Sequence, residues 1–86
     1  MKSLATEGFW RALERLPLDV RRQAQRAYQR FQDDPFHPSL HFKRIDDADN
    51  VWSVRIGLGY RAFGLREGED ITWIWIGSHA EYDRRV

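Results

Sequence analysis

The sequence predicts an α+β domain: a helical hairpin packed on one face of a four-stranded, mainly antiparallel sheet. Two observations carry this. Apolar residues recur at helical spacing as far as Phe31 and alternate with period two from Leu40 onward. Turn residues punctuate the chain where the period changes or resets, and helices followed by strands is the order of an α+β fold.

Residues 2–6 (Lys-Ser-Leu-Ala-Thr) are too few to assign alone. Phe9, Leu13 and Leu16 fall at i, i+4 and i+7, marking a helix over Glu7–Leu16. Pro17 interrupts it and, with Asp19 in the next turn, starts a second helix. There Val20, Ala24, Ala27, Tyr28 and Phe31 form one apolar stripe, ended by Asp33-Asp34-Pro35. The connection Asp34–Ser39 is rigid and polar. A strand then begins with Leu40 and Phe42 on one face and His41 and Lys43 on the other. After the Asp46–Asn50 turn, Val51–Ile56 alternates Trp52, Val54 and Ile56 against Ser53 and Arg55. Gly57-Leu58-Gly59 turns the chain into a strand over Tyr60–Arg66, and Glu67–Asp70 turns it again. Ile71–Ile76 is apolar on both faces, as in a strand inside the sheet covered from both sides. The polar tail Ser78–Val86 is assigned no element.

The composition narrows the function classes. Eighty-six residues make one domain, burying about 60–65 % of the unfolded surface. With no cysteine, disulfides and thiolate metal sites are excluded. His37, His41 and His79 lack any metal-ligand spacing, so neither metal nor cofactor is expected. No apolar run approaches the roughly 18 residues of a membrane span, and Met1–Trp10 has no signal-peptide core. The sequence therefore predicts a soluble, cytoplasmic protein. A net charge of +1 argues against coating nucleic acid by bulk charge. Of the 14 basic residues, however, only Lys2 and Lys43 are lysine, and arginine suits bidentate contact with phosphate or carboxylate.

The Gly57–Gly59 turn places the arginines. A three-residue loop with one left-handed glycine pairs Ile56 with Tyr60, Arg55 with Arg61 and Val54 with Ala62. A loop of two or four residues would put Arg61 on the core face, an uncompensated charge. Two arginines facing across a ladder repel, so folding alone would not select the pair. Its counter-charge is either an internal acid or an anionic ligand. Continuing the register sets Phe63 opposite Ile74 and Arg61 opposite Ile76, with Trp73 and Trp75 joining Trp52 on the helix-covered face. His79 and Tyr82 then follow at the edge of the arginine face. On the second helix, Arg22, Arg26 and Arg30 lie at i, i+4 and i+8. Like charges at this spacing repel by a few tenths of a kcal/mol. The stripe reads either as a solvated face or as a contact for an acidic partner.

Arg, Arg, His and Tyr suit phosphodiester cleavage by the 2′-hydroxyl of RNA. Arginines neutralise charge developing on the phosphoryl oxygens, and His or Tyr moves the proton. Ser78 beside His79 has neither a Gly-x-Ser-x-Gly elbow nor a triad acid, which argues against a serine nucleophile.

These residues carry a resemblance. Phe9–Leu16 with Pro17 and the second helix, Asp34–Leu40, Trp52-Ser-Val-Arg-Ile-Gly-Leu-Gly-Tyr-Arg61 and Trp75-Ile-Gly-Ser-His-Ala-Glu-Tyr-Asp83 resemble the RelE/ParE superfamily of toxins from type II toxin–antitoxin systems. The resemblance spans nearly the whole chain and implies a single domain over residues 1–86, with a β-α-α-β-β-β fold whose first strand is residues 2–6. It implies a toxin held by a cognate antitoxin and acting as a metal-independent, ribosome-dependent mRNA endoribonuclease. The alternatives are a ParE-like inhibitor of DNA gyrase or a non-catalytic antitoxin-binding relic. By the same resemblance Arg55, Arg61, His79 and Tyr82 would be catalytic. Lys43 and Arg44 would contact RNA, and Arg22, Arg26 and Arg30 would contact the antitoxin.

Overall fold

The computed structural model describes residues 1–85. The elements are β1 (Lys2–Ala5), α1 (Glu7–Glu14), α2 (Leu18–Asp33), a 3₁₀ turn (Pro38–Leu40), β2 (Lys43–Asp46), β3 (Val51–Ile56), β4 (Tyr60–Glu67), β5 (Asp70–Ser78) and α3 (His79–Arg85). The strands form one five-stranded sheet in the order β1-β5-β4-β3-β2. β1 runs parallel to β5, and the other pairings are antiparallel. The predicted class holds, with one strand more than expected because both short edge segments pair.

Thr6 caps α1, its hydroxyl accepting from the Phe9 amide at 3.1 Å, a contact worth about 1 kcal/mol. Pro17 precedes α2 and breaks the two helices apart. Their inner faces meet a core of Phe31, Leu40, Phe42, Val54, Ile56, Ala62, Ile71, Trp73 and Ile76. Aromatic edges tie α2 to the sheet: Phe31 meets Phe42 at 5.0 Å and Trp73 at 5.4 Å, both T-shaped. Each such pair adds about 0.5–1.5 kcal/mol beyond its buried area.

Three local expectations change. Leu40 lies in the 3₁₀ turn, and β2 starts only at Lys43, because His41 adopts a left-handed backbone (φ 47°) that cannot continue a strand. The polar tail becomes α3; its last residue, Val86, is outside the described residues. Ser78 Oγ accepts from the Glu81 amide at 3.2 Å, so this serine caps a helix.

The third change concerns Trp75. The pairing slips between Phe63 and Gly64: Phe63 faces Trp75 while Gly64 faces Trp73, which leaves Ile74 as an extra residue in β5. A one-residue insertion reverses the faces beyond it. Phe63 therefore faces Trp75 rather than Ile74, and Arg61 faces Gly77 rather than Ile76. Trp73 joins the helix-covered core, whereas Trp75 stacks on Phe63 at 5.1 Å on the opposite face. β5 is thus covered on both sides, as its sequence predicts, by α1 on one and α3 on the other.

Candidate phosphate-facing site

The β3–β4 turn is the predicted three-residue loop. Ile56 pairs with Tyr60 and Arg55 with Arg61. Gly57 takes the left-handed conformation (φ 57°), and a Cβ there would lie 2.3 Å from Gln23 Oε1, so α2 closes over the turn. By strand alternation Ser53, Arg55, Arg61 and Phe63 start on the face turned away from α1 and α2. Arg55 lies beyond the end of the β2 pairing, at an uncovered sheet edge, and also borders α2, lining a groove with Arg26 and Arg30.

α3 lies across this face. The His79 amide donates to Gly59 O at 2.8 Å, anchoring the helix start to the hairpin. Arg85 places its guanidinium carbon 4.9 Å from the Trp75 ring centre, holding the helix end. Gly77 permits this packing, since a Cβ there would sit 2.3 Å from the Trp75 ring. Tyr82 is 7 % exposed and its hydroxyl donates to Ser53 Oγ at 3.2 Å. Tyr82, expected at the edge of the arginine face, is instead buried: the sheet face beneath α3 has a small core of its own.

Arg61 lies against Tyr82, its guanidinium carbon 5.4 Å from the ring centre. Its Nε and Nη1 are buried and have no hydrogen-bond partner among the described residues. Arg55 donates from Nε to Gly57 O at 2.9 Å. Neither arginine forms an ion pair with Asp or Glu among the described residues, unlike Arg11, Arg44 and Arg66. His79 is exposed. Its Nδ1 meets Asp83 Oδ2 at 3.3 Å and its ring centre lies 6.0 Å from that of Tyr82, which leaves Nε2 outside that ion pair. Tyr82 therefore neighbours both Arg61 and His79, with Arg55 across the ladder from Arg61.

Lys43 and Arg44 separate. Lys43 pairs with Ser53 and shares its face, whereas Arg44 pairs with Trp52 and forms an ion pair with Asp47 at 3.2 Å. Arg22, Arg26 and Arg30 are exposed along α2. Sequence reasoning missed Ser53 as the partner of Tyr82 and Asp83 as the partner of His79. The second was detectable, because Ser78-x-x-Glu81 is a capping-box pattern that puts His79 and Asp83 one helical turn apart.

Residues 18–84 match the family described as ParE-like toxin domain. The chain belongs to this family. The domain also superposes on solved RelE/ParE-superfamily toxins. One is RelE in a RelB–RelE antitoxin–toxin complex from Methanococcus jannaschii, with a TM-score of 0.74 and 20 % identity over 94 % of this chain and 96 % of that one. A YoeB/ParE toxin from Agrobacterium tumefaciens gives 0.69 and 19 % over 92 % and 99 %. The isolated Escherichia coli RelE toxin gives 0.67 and 15 % over 98 % and 96 %. At these identities the superpositions establish the RelE fold. No curated protein sequence matches the chain. Among the described residues, no helix of this toxin domain is long and apolar enough to cross a membrane.

Proposed function

We propose that this ParE-like toxin domain is the toxin of a toxin–antitoxin pair and cleaves mRNA on the ribosome without a metal. The observation that carries the reading is the Arg55–Arg61 pair: two arginines opposed across a ladder, neither neutralised by an acid among the described residues. A phosphodiester supplies the missing charge. The ribose 2′-oxygen loses its proton and attacks the adjacent phosphorus, the P–O5′ bond breaks, and the 5′-oxygen takes up a proton. Arg61 and Arg55 stabilise the charge building on the non-bridging oxygens. His79 Nε2 exchanges the proton as acid or base, with Asp83 orienting the ring. Tyr82 acts through Arg61, presenting the guanidinium from its ring. Lys43 contacts the RNA backbone on the same face, and Arg44 contacts it from the sheet edge.

The partner is an antitoxin. RelB–RelE complexes from M. jannaschii and E. coli are among the similar structures, which supports such a partner here. An apolar cleft of about 400 Å³ between α1, α2 and the sheet exposes Leu4, Trp10 and Tyr28, a surface suited to a partner's apolar side chains. Arg26 and Arg30 on α2 would add charge contacts.

The test is primer extension on translating ribosomes with wild type and His79→Ala at matched levels. Cleavage by wild type alone supports the assignment. Equal cleavage removes His79 as acid or base. The ParE-like family match favours a second reading, inhibition of DNA gyrase. Growth arrest without cleavage, accompanied by loss of supercoiling, would select it. Co-purification with a co-expressed antitoxin tests the partner.

A further inference from the structure

A second groove, of about 470 Å³, runs on the other side of α2 from the apolar cleft. Arg26 and Arg30 from α2 and Arg55 from β3 line it, together with Gln23, Ser39 and Leu58, and its lining contains no carboxylate. Arg30 Nη1 donates to Ser39 Oγ at 3.1 Å, which fixes one guanidinium at the wall. None of the three arginines has an acidic partner among the described residues. Arg22, the remaining member of the i, i+4, i+8 stripe on α2, does not line the groove.

We infer that this groove receives an acidic polypeptide segment, and that the segment engages Arg55 together with Arg26 and Arg30. The inference rests on the reading that an antitoxin binds this chain, and it names the chemistry of the segment that docks. Three uncompensated guanidinium groups call for carboxylates or phosphates. Leu58, 89 % exposed at the hairpin tip, favours a polypeptide, which brings apolar side chains beside its charges. The consequence concerns control. Arg55 is the cross-strand partner of Arg61, so carboxylates in the groove withdraw one of the two paired arginines from an incoming phosphodiester without touching His79. Partner and RNA then compete for one guanidinium.

The test is fluorescence anisotropy with a labelled synthetic peptide, Glu-Glu-Leu-Glu-Glu-Leu-Glu-Glu, and in parallel a labelled mixed-sequence 12-nucleotide RNA. Arg26→Glu/Arg30→Glu should weaken the peptide by about tenfold or more, equivalent to about 1.4 kcal/mol. Arg55→Ala should weaken it severalfold, while Arg22→Glu should leave it nearly unchanged. Unlabelled peptide should displace the RNA from wild type. Arg22, Arg26 and Arg30 are exposed and Arg55 is half-buried, and unchanged melting temperatures confirm folding. If Arg22→Glu weakens the peptide as much as Arg26→Glu, the attraction is diffuse charge and the groove is not the site. If the RNA depends on Arg26 and Arg30 while the peptide does not, the groove is a nucleic-acid track. Both results overturn the inference. Failure of the antitoxin reading is separate, seen as absence of co-purification whatever the groove variants do.

Discussion

The guanidinium of Arg61 lies against the ring of Tyr82, with its carbon 5.4 Å from the ring centre, while the tyrosine hydroxyl binds Ser53 on the strand beneath. The ring faces the arginine and the hydroxyl points into the sheet, so Tyr82 joins the two strands under α3. The proposed chemistry on this face would depend on how that helix is seated.

On the proposed mechanism, Arg61→Ala should lower mRNA cleavage by about 10²–10³ while changing ribosome binding far less, because its principal interaction would be with charge that develops in the transition state. Single-turnover cleavage on programmed ribosomes, with binding measured by co-sedimentation, separates the two. Equal losses in both would make Arg61 a binding residue.

His79→Ala should cost about 10²–10⁴ in the cleavage rate. Asp83→Asn keeps the position but removes the carboxylate facing Nδ1, so it should cost less than the loss of His79. A pH–rate profile for both variants checks the assignment. The profile should change shape in Asp83→Asn and lose one limb in His79→Ala.

Tyr82 should divide stability from positioning. Tyr82→Phe leaves the buried Ser53 hydroxyl without its partner, a loss of about 1–3 kcal/mol in urea unfolding, yet it keeps the ring beneath Arg61. Tyr82→Ala also removes the ring, costing about 3–5 kcal/mol. Cleavage normalised to folded protein should fall much more for alanine than for phenylalanine. A large loss in Tyr82→Phe would assign the hydroxyl to proton transfer.

Gly77→Ala should destabilise the domain by about 1–3 kcal/mol, because the new methyl meets the Trp75 ring, which is held between Phe63 and Arg85. For a domain of this size, each kcal/mol lowers the melting temperature by about 4–8 °C. A shift below 2 °C, roughly 0.3–0.5 kcal/mol on that scale, would mean that the Trp75 packing is loose.

The sequence by itself determined both long helices, the strands β3 to β5 and the opposition of Arg55 to Arg61. These are local consequences. Periodicity selects the element, Pro17 separates the helices, and the sterics of Gly57-Leu58-Gly59 with the penalty for burying a charge leave one hairpin register. The tertiary structure alone decided three things: that Ile74 bulges and sends Trp75 to the second face, that the polar tail coils into α3, and that Tyr82 and Ser53 meet beneath it. A bulge is chosen by competition between whole-sheet registers, in which Trp73 fills the core beside Phe31 while Trp75 stacks on Phe63. A seven-residue helix is too short to form on its own propensity and exists because the Trp75 and Phe63 face is there to pack against.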